Sequence, residues 1–582
     1  MTALAVQLAP LGVLLPLGVA FLLLALAHWL PPRTADVTAL IFSLILVGLC
    51  GWLASRALHG PIVHWFGAWS PAVSGKPRVV LGIGFSVDPA SAAVAAFCAL
   101  IFAASFVFAW GYFDKVHAHF HILMLLFLAA MIGFCFTRDL FNLFVWFELM
   151  SMAAFALTAY PLEKSSLEGA FNFTVTNALG SYLMLAGVAL LYARTGTLDF
   201  VTMGRIIAHG APDPVIAGGF CLIAAALLTK AAIVPFHMWL SDAHAVAPSP
   251  VSVIFSGVMV GLGLFGLLKL IAIVFAADAQ IMALVHIGLL WLGIATAIVG
   301  GLMAWAQRHL KRLLAFSTIS HLGIMLLAVA AVNSTGVKGF LLYFVGHGLV
   351  KGTLFMVAGI LLARFNSIDE LELYGKGKGV WPAGIVMGLA GLLLGGLPWG
   401  ILHEATDHVH KAGHGMAPVI AIVVGTSLTG AAVLRAALRI FPGWSGVPGI
   451  EFVSPTERER EQQDRPLWLM LLPCVVLLAI ALLPPGLVES FTHDAATGLI
   501  SKTAEPSGGG TIMTAIAFAL TILIPAASLL RQRATRRWAR VAARIETLPF
   551  RALHRLHSGR VTDYIVWMMV GLAVMASVLR LR

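Results

Sequence analysis

Apolar residues in this chain come in long unbroken stretches, each close to the ~20 residues a helix needs to cross a hydrocarbon core of about 30 Å. The stretches lie near 9–30, 37–57, 86–113, 118–137, 139–160, 168–193, 215–240, 249–276, 279–306, 312–332, 336–363, 380–402, 415–440, 467–489, 511–530 and 561–580. This pattern predicts an all-α polytopic membrane protein with about 14 to 16 transmembrane helices. Residues 58–85, with several Gly and Pro, read as an external loop. In residues 529–556, Leu, Ala, Val and Trp538 alternate against Arg533, Arg536, Arg537, Arg540 and Arg544, the composition of a basic amphipathic helix lying along the membrane surface.

Polar positions inside these stretches are few enough to take one by one. The seventh runs LTKAAIVPFHMWLSDAHAVAPSPVS over residues 228–252. A charge near the bilayer centre costs about 3 kcal/mol on insertion scales, which marks Lys230 as functional unless it snorkels to an interface. Pro235 lacks an N–H and its ring would clash with the carbonyl of Ala231, so the helix must kink or break beside the lysine. Glu148, mid-way along the fifth stretch, is as expensive as Lys230, and the two are predicted to face one another. The other reading is a protonated glutamate bonded to backbone. Asp139 and Asn142 cap that helix or line its entrance. Asn172, Asn177, Gly180 and Ser181 read as helix-packing positions.

His237 and His244 follow the first break, and Lys269 closes the eighth stretch as a snorkelling residue. The tenth stretch holds His321. In the eleventh, Tyr343, His347 and Lys351 recur every fourth residue and share a helix face, the spacing of a proton relay or of a cluster that only packs helices. The twelfth is interrupted at Pro398, so two interrupted helices five spans apart point to two related five-helix units. Beyond it lie His403, Glu404, Asp407, His408, His410 and His414, at spacings that fit no zinc motif.

Composition agrees with the pattern. Hydrophobic residues make up 60% and charged residues 11%, and mean hydropathy is +0.95. The net charge of +11 is spread over short loops, around Arg308, Lys311 and Arg312, residues 364–378, 458–465 and 531–560, which speaks against nucleic-acid binding. With 16 spans these loops fall on one side, so the positive-inside rule makes them cytoplasmic and puts both termini outside. The first stretch has no basic segment before it and no cleavage site after it, and reads as a retained span. Five cysteines stand singly in apolar runs, without the spacing of a metal or iron–sulfur site. A haem held by His117, His119 or His121 is a weaker reading. The chain is expected to need no cofactor and no metal, and to do no redox chemistry itself.

Four segments, FNLFVWFELM, LLTKAAIVPFHMWLSDAHAVAPSPVSVIFSGVM, HLKRLLAFSTISHLG and GHGLVKGTLF, resemble the antiporter-like proton-translocating membrane subunits shared by respiratory complex I, membrane-bound hydrogenases and Mrp-type cation/proton antiporters. The resemblance covers about residues 80–440. It implies two inverted five-helix repeats, each with a half-channel, joined by a hydrated axis of lysine, glutamate and histidine. It also implies that Glu148 and Lys230 are the family's glutamate and broken-helix lysine, that His347 and Lys351 are its eleventh-helix relay, and that His321 occupies a position often polar there. The chain departs from the family at Val260, Gly261 and Leu262, where many members carry a lysine or histidine. It departs again after the twelfth-span GLP, where Glu404, with His403 or Asp407, stands in for the usual Lys or Glu.

The expected division is 1–117, N-terminal helices; 118–277 and 278–440, the two repeats; 441–530, further helices; 531–560, the lateral helix; and 561–582, a last span. The expected function is proton translocation, with exchange for Na+ left open, through Glu148, Lys230, His244, His321, His347, Lys351 and Glu404. The chain would act within a larger respiratory, hydrogenase or Mrp-like complex in a bacterial cell membrane. Its partners would be other membrane subunits and the lipid bilayer. The alternative is a non-pumping scaffold or coupling subunit, including one of a complex handling inorganic carbon.

Overall fold

The computed structural model describes residues 2–68, 82–113, 118–413, 415–444, 466–484, 486–500, 510–530 and 561–580. Among them, twelve helices are long and apolar enough to cross a membrane, and four shorter apolar helices, Pro214–Lys230, Leu467–Ala481, Ile512–Ser528 and Val561–Ala573, stand where the remaining spans were expected. The lateral helix over 531–560 lies outside the described residues, as do Lys115, His117 and His414.

In chain order the helices are α1 (Thr2–Leu8), α2 (Leu11–Leu26), α3 (Pro32–Ala57), α4 (Pro89–Tyr112), α5 (Ala118–Phe136), α6 (Leu140–Thr158), α7 (Lys164–Thr195), α8 (Phe200–His209), α9 (Pro214–Lys230), α10 (Met238–Val246), α11 (Ser249–Ile254) and α12 (Val260–Leu270). There follow α13 (Ala279–Leu284), α14 (Leu290–Trp305), α15 (Leu310–Ala330), α16 (Ser334–Phe365), α17 (Trp381–Leu394), α18 (Ile401–Ala412), α19 (Met416–Ile440), α20 (Leu467–Ala481), α21 (Gly486–Leu499), α22 (Gly510–Leu530) and α23 (Val561–Arg580). A π turn, Phe255–Met259, joins α11 to α12. Side-chain caps start several helices: Asp139 accepts from Asn142 N–H at 2.7 Å, Asp213 from Val215 N–H at 2.8 Å and Asn333 from Gly336 N–H at 2.8 Å.

Two stretches of the chain repeat one another. α6 and α15 each follow an arginine, Arg138 or Arg308, that pairs with an aspartate, Asp199 or Asp369, just past a 32-residue helix, α7 or α16. Leu140 N–H donates to Leu198 O, and Leu310 N–H donates to Ile368 O, both at 2.9 Å. The long helices end alike, on left-handed Gly196 (φ 64°) and Asn366 (φ 51°). α9 and α17 also stop alike. Ala231 and Ile233 donate to Leu227 O and Leu228 O, and Gly395 and Leu397 donate to Gly391 O and Leu392 O. The residue between each pair of donors, Ala232 (φ 50°) or Gly396 (φ 93°), is left-handed.

The structure refines four expectations. The seventh stretch is two helices, because α9 ends at Lys230 well before Pro235. The fourteenth splits at Leu482–Pro484 into α20 and the amphipathic α21. The external loop contains an antiparallel ribbon of β1 (Ile62–Trp65) and β2 (Gly84–Val87), whose aromatic and β-branched residues suit a pleated strand. Lys269 does not snorkel: it is buried and donates to Cys135 O at 2.7 Å, at the C-terminal end of α5.

Candidate functional site

The break after α9 is knitted into the protein. Trp239 Nε1–H donates to Thr229 O at 2.9 Å, and Val234 N–H donates to Thr296 Oγ1 of α14 at 3.1 Å. Backbone freed at membrane depth is thus satisfied inside the protein, as hydrocarbon requires. Lys230, the last residue of α9, is fully buried. Its ammonium donates to Ser151 Oγ and lies 4.4 Å from the centre of the Phe147 ring, both on α6. Glu148 interacts with Lys230 through space, and its Oε1 accepts no hydrogen bond. The structure therefore brings Glu148 and Lys230 to one interface, with Ser151, rather than a direct ion pair, receiving the lysine.

A second cluster lies where the two units meet. His244, on α10, is fully buried, stacks on Phe355 with ring centres 4.5 Å apart, and makes no hydrogen bond through either ring nitrogen. It lies in the field of Lys311 and Lys351. Lys351, buried on α16, donates to Ser317 Oγ of α15 and, at 3.3 Å, to Leu314 O. One turn earlier, the ring of His347 lies 5.5 Å from that of His321, centre to centre, with its Nε2 unbonded. His321 is hydrogen-bonded through Nδ1 to Tyr343 OH at 2.7 Å and through Nε2 to Thr429 Oγ1 of α19 at 3.0 Å. Thr406 of α18, on the same buried side, donates its hydroxyl to Leu402 O at 2.8 Å. No hydrogen bond links Lys230 to His244. Counted from the matching Leu140 and Leu310, His321 occupies the place of Ser151, and Thr318 that of Glu148.

Glu404 belongs to a third group. His408 Nε2 lies 3.2 Å from Glu404 Oε1, Lys411 pairs with Asp407 at 2.5 Å, and Glu489 reaches the same place from α21. Ligand atoms of Glu404, His408 and Glu489 all fall within 4.8 Å of one another, and Lys338 Nζ sits 3.1 Å from Glu489 Oε1. The proposed haem ligand His121 is instead paired with Asp36 at 2.7 Å.

Sequence reasoning missed four residues. Ser151 and Ser317 accept from Lys230 and Lys351. Lys311 was counted with its arginine neighbours as a loop charge, yet it is fully buried and donates to Ala247 O at the end of α10. Glu489, in a short amphipathic segment, carries no signal that ties it to Glu404.

Broken helices with lysines and histidines buried at their interfaces, and a half-buried glutamate beside one of them, define a polytopic membrane protein of the antiporter-like type. Residues 137–430 match the family model described as NADH:quinone oxidoreductase/Mrp antiporter, TM, and the chain belongs to that family. It is 33% identical over 50% of its length to NADH-quinone oxidoreductase subunit N of Desulforudis audaxviator, and 32% identical over 52% to NAD(P)H-quinone oxidoreductase chain 4-3 of a Nostoc species. The matched part spans 58% and 53% of those relatives, a little over half of each. Its fold resembles a chain of the archaeal membrane-bound sulfane sulfur reductase (TM-score 0.73, 23% identity, 88% of this chain and 100% of that one). It also resembles a chain of the Mrp complex from Dietzia sp. DQ12-45-1b (TM-score 0.71, 22% identity, 88% of this chain and 99% of that one).

Proposed function

We propose that this chain is a proton-translocating membrane subunit of a multi-subunit complex in a bacterial cell membrane, with both termini outside. In this reading protons pass by way of Glu148, Lys230, His244, Lys351, His347 and His321 toward Glu404. One observation carries the reading: two lysines, Lys230 and Lys351, are buried at helix interfaces and each is received by a serine hydroxyl of a neighbouring helix. An ammonium buried without an ion-pair partner is costly, and a hydroxyl can accept from an ammonium or donate to a neutral amine, so each site suits both protonation states. The charge of Glu148 then biases the occupancy of Lys230, and the proximity of Lys351 to His347 and His321 couples the next step.

The test uses vesicles carrying the whole complex, with proton uptake followed by a pH-sensitive dye. Lys230→Ala should abolish uptake, and normal uptake with normal assembly overturns the proposal. Repeating the assay with and without a Na+ gradient decides whether Na+ is exchanged. One observation favours a non-pumping scaffold as the second reading: α17 ends in Leu394 where α9 ends in Lys230. A complex in which this chain is intact yet no proton moves would establish that reading.

A further inference from the structure

Along the chain, the acids and histidines past the second break fit no zinc spacing. In the fold they belong to a pattern shared by two helices. α18 carries Glu404 and His408 four residues apart, and α21 carries Glu489 and His493 at the same interval, so each pair shares one helix face. The two helices bring these residues together: ligand atoms of Glu404, His408 and Glu489 lie within 4.8 Å of one another, and His493 is close enough to Glu489 to act on its charge.

We propose that this junction is a binding site for a divalent transition-metal cation of the Zn2+ class, held by Glu404 and His408 of α18 and Glu489 of α21. His493 or water supplies the remaining ligand. The proposal goes beyond the proton-translocating reading and does not depend on it. Glu404 Oε1 and His408 Nε2 are 3.2 Å apart, yet no hydrogen bond joins them, and neither ring nitrogen of His408 has a hydrogen-bond partner. That separation matches one edge of a tetrahedron with metal bonds of about 2.0–2.1 Å, an edge of roughly 3.3 Å. An imidazole nitrogen and a carboxylate oxygen that share no proton can both turn lone pairs to an ion.

The donor set selects the ion. Oxygen ligands alone suit Mg2+ and Ca2+, whereas imidazole beside carboxylate suits Zn2+ and its transition-metal neighbours. Charge favours a cation as well. Asp407 pairs with Lys411, which leaves Glu404 and Glu489 against the single ammonium of Lys338. Lys338 Nζ sits 3.1 Å from Glu489 Oε1, and a carboxylate has two oxygens and about four lone-pair sites, so the lysine orients this ligand without exhausting it. The same hydrogen bond holds Glu489 below the usual carboxylate range, in the deprotonated form that a metal requires. Glu489 is exposed, and with the loops oriented as their charge predicts this end of the molecule lies outside, so an ion reaches it from water without entering the membrane. Bound there, it ties α21 to α18.

Equilibrium dialysis of the assembled complex against Zn2+ tests this, comparing the wild type with His408→Ala and Glu489→Gln. Each variant should weaken the binding of one Zn2+ per chain by about 100-fold or more, beyond the 10–100-fold that follows loss of an outer partner of a metal ligand. Because Glu489 is exposed, its exchange for Gln leaves the fold intact. Asp494→Asn, an exposed change on α21 outside the ligand set, should bind Zn2+ as the wild type does. With Co2+ in place of Zn2+, the difference spectrum of wild type minus Glu489→Gln should show the visible bands of four-coordinate Co2+, and excess Mg2+ should not erase them. Zn2+ should also raise the unfolding temperature of the wild-type complex more than that of either variant. Equal Zn2+ binding by the wild type and both variants overturns the site. Loss in His408→Ala but not in Glu489→Gln confines the ion to α18 and overturns the bridge between helices, as does a Co2+ difference spectrum typical of six oxygen ligands.

Discussion

Apart from Lys338, which pairs with Glu489, the buried lysines fall into two kinds among the described residues. Lys269 and Lys311 donate to backbone carbonyls at the ends of α5 and α10, where the helix dipole adds a negative potential, and Lys269 Nζ also lies 3.9 Å from Asp88 Oδ2. Lys230 and Lys351 meet Ser151 and Ser317, hydroxyls that can accept from an ammonium or donate to a neutral amine, and Lys351 also reaches Leu314 O at 3.3 Å. In the reading proposed above, this contrast separates lysines that staple helices from lysines that pass protons on. Ser151→Ala should therefore cost about 1.5–3 kcal/mol, the worth of a hydrogen bond to a charged group. It should appear as a lower unfolding temperature of the complex together with slower proton uptake. Unchanged values for both would show that Ser151 does not hold the lysine. Lys230 and Glu148 were legible in the sequence because a charge in an apolar run is expensive. Ser151 was not, since a serine in a membrane helix is cheap and common, and Lys311 was hidden by the arginine beside it.

At the scale of elements, the prolines announced both breaks but not where they fall. α9 stops at Lys230, five residues before Pro235, and α17 stops at Leu394, four residues before Pro398. The stopping point depends on hydrogen bonds that reach back from beyond the helix, and no local motif encodes those. The two interruptions five spans apart announced a duplication, but its anchoring motif stayed hidden, since Arg138-Asp139-Leu140 and Arg308-His309-Leu310 look alike only once both arginines are seen pairing with aspartates. Packing at the meeting of the two units is tight. A Cβ on Gly348 of α16 would lie 2.4 Å from Gly257 O in the π turn. Gly348→Val should destabilise the chain by about 3 kcal/mol or more, since backbone cannot move aside as a side chain can. Reduced recovery of assembled complex checks this, and normal recovery would mean that the helices can separate.

At the scale of the whole molecule, the apolar runs announced an all-α polytopic fold and the order of its long helices, because burial of about 20 residues in lipid leaves few alternatives. How the last helix docks was not legible. α23 comes back to the first break: Tyr564 donates to Asp242 Oδ2, Asp242 also pairs with Arg312 at 3.1 Å, and Gly571 lies where a Cβ would meet Phe236 at 2.5 Å. Tyr564→Phe should lower stability by about 1–3 kcal/mol, with Arg312 left to neutralise Asp242. Gly571→Leu should loosen α23 altogether. Limited proteolysis of the C-terminal segment compares the two, and equal protection in both variants and the wild type would remove α23 from the account of the break.

The glycine crossing between the two halves has a mechanical corollary. Where Gly348 meets Gly257, main chain rests on main chain, and beside it Ser256 Oγ and Thr318 Oγ1 are 2.6 Å apart. Such a seam leaves no slack for one half to slide past the other, and close-packed interiors transmit strain without absorbing it. In the translocating reading proposed above, news of a proton captured on one side would cross as an electric field felt through a stiff partition, as a signal crosses a capacitor, with only side chains free to turn in reply.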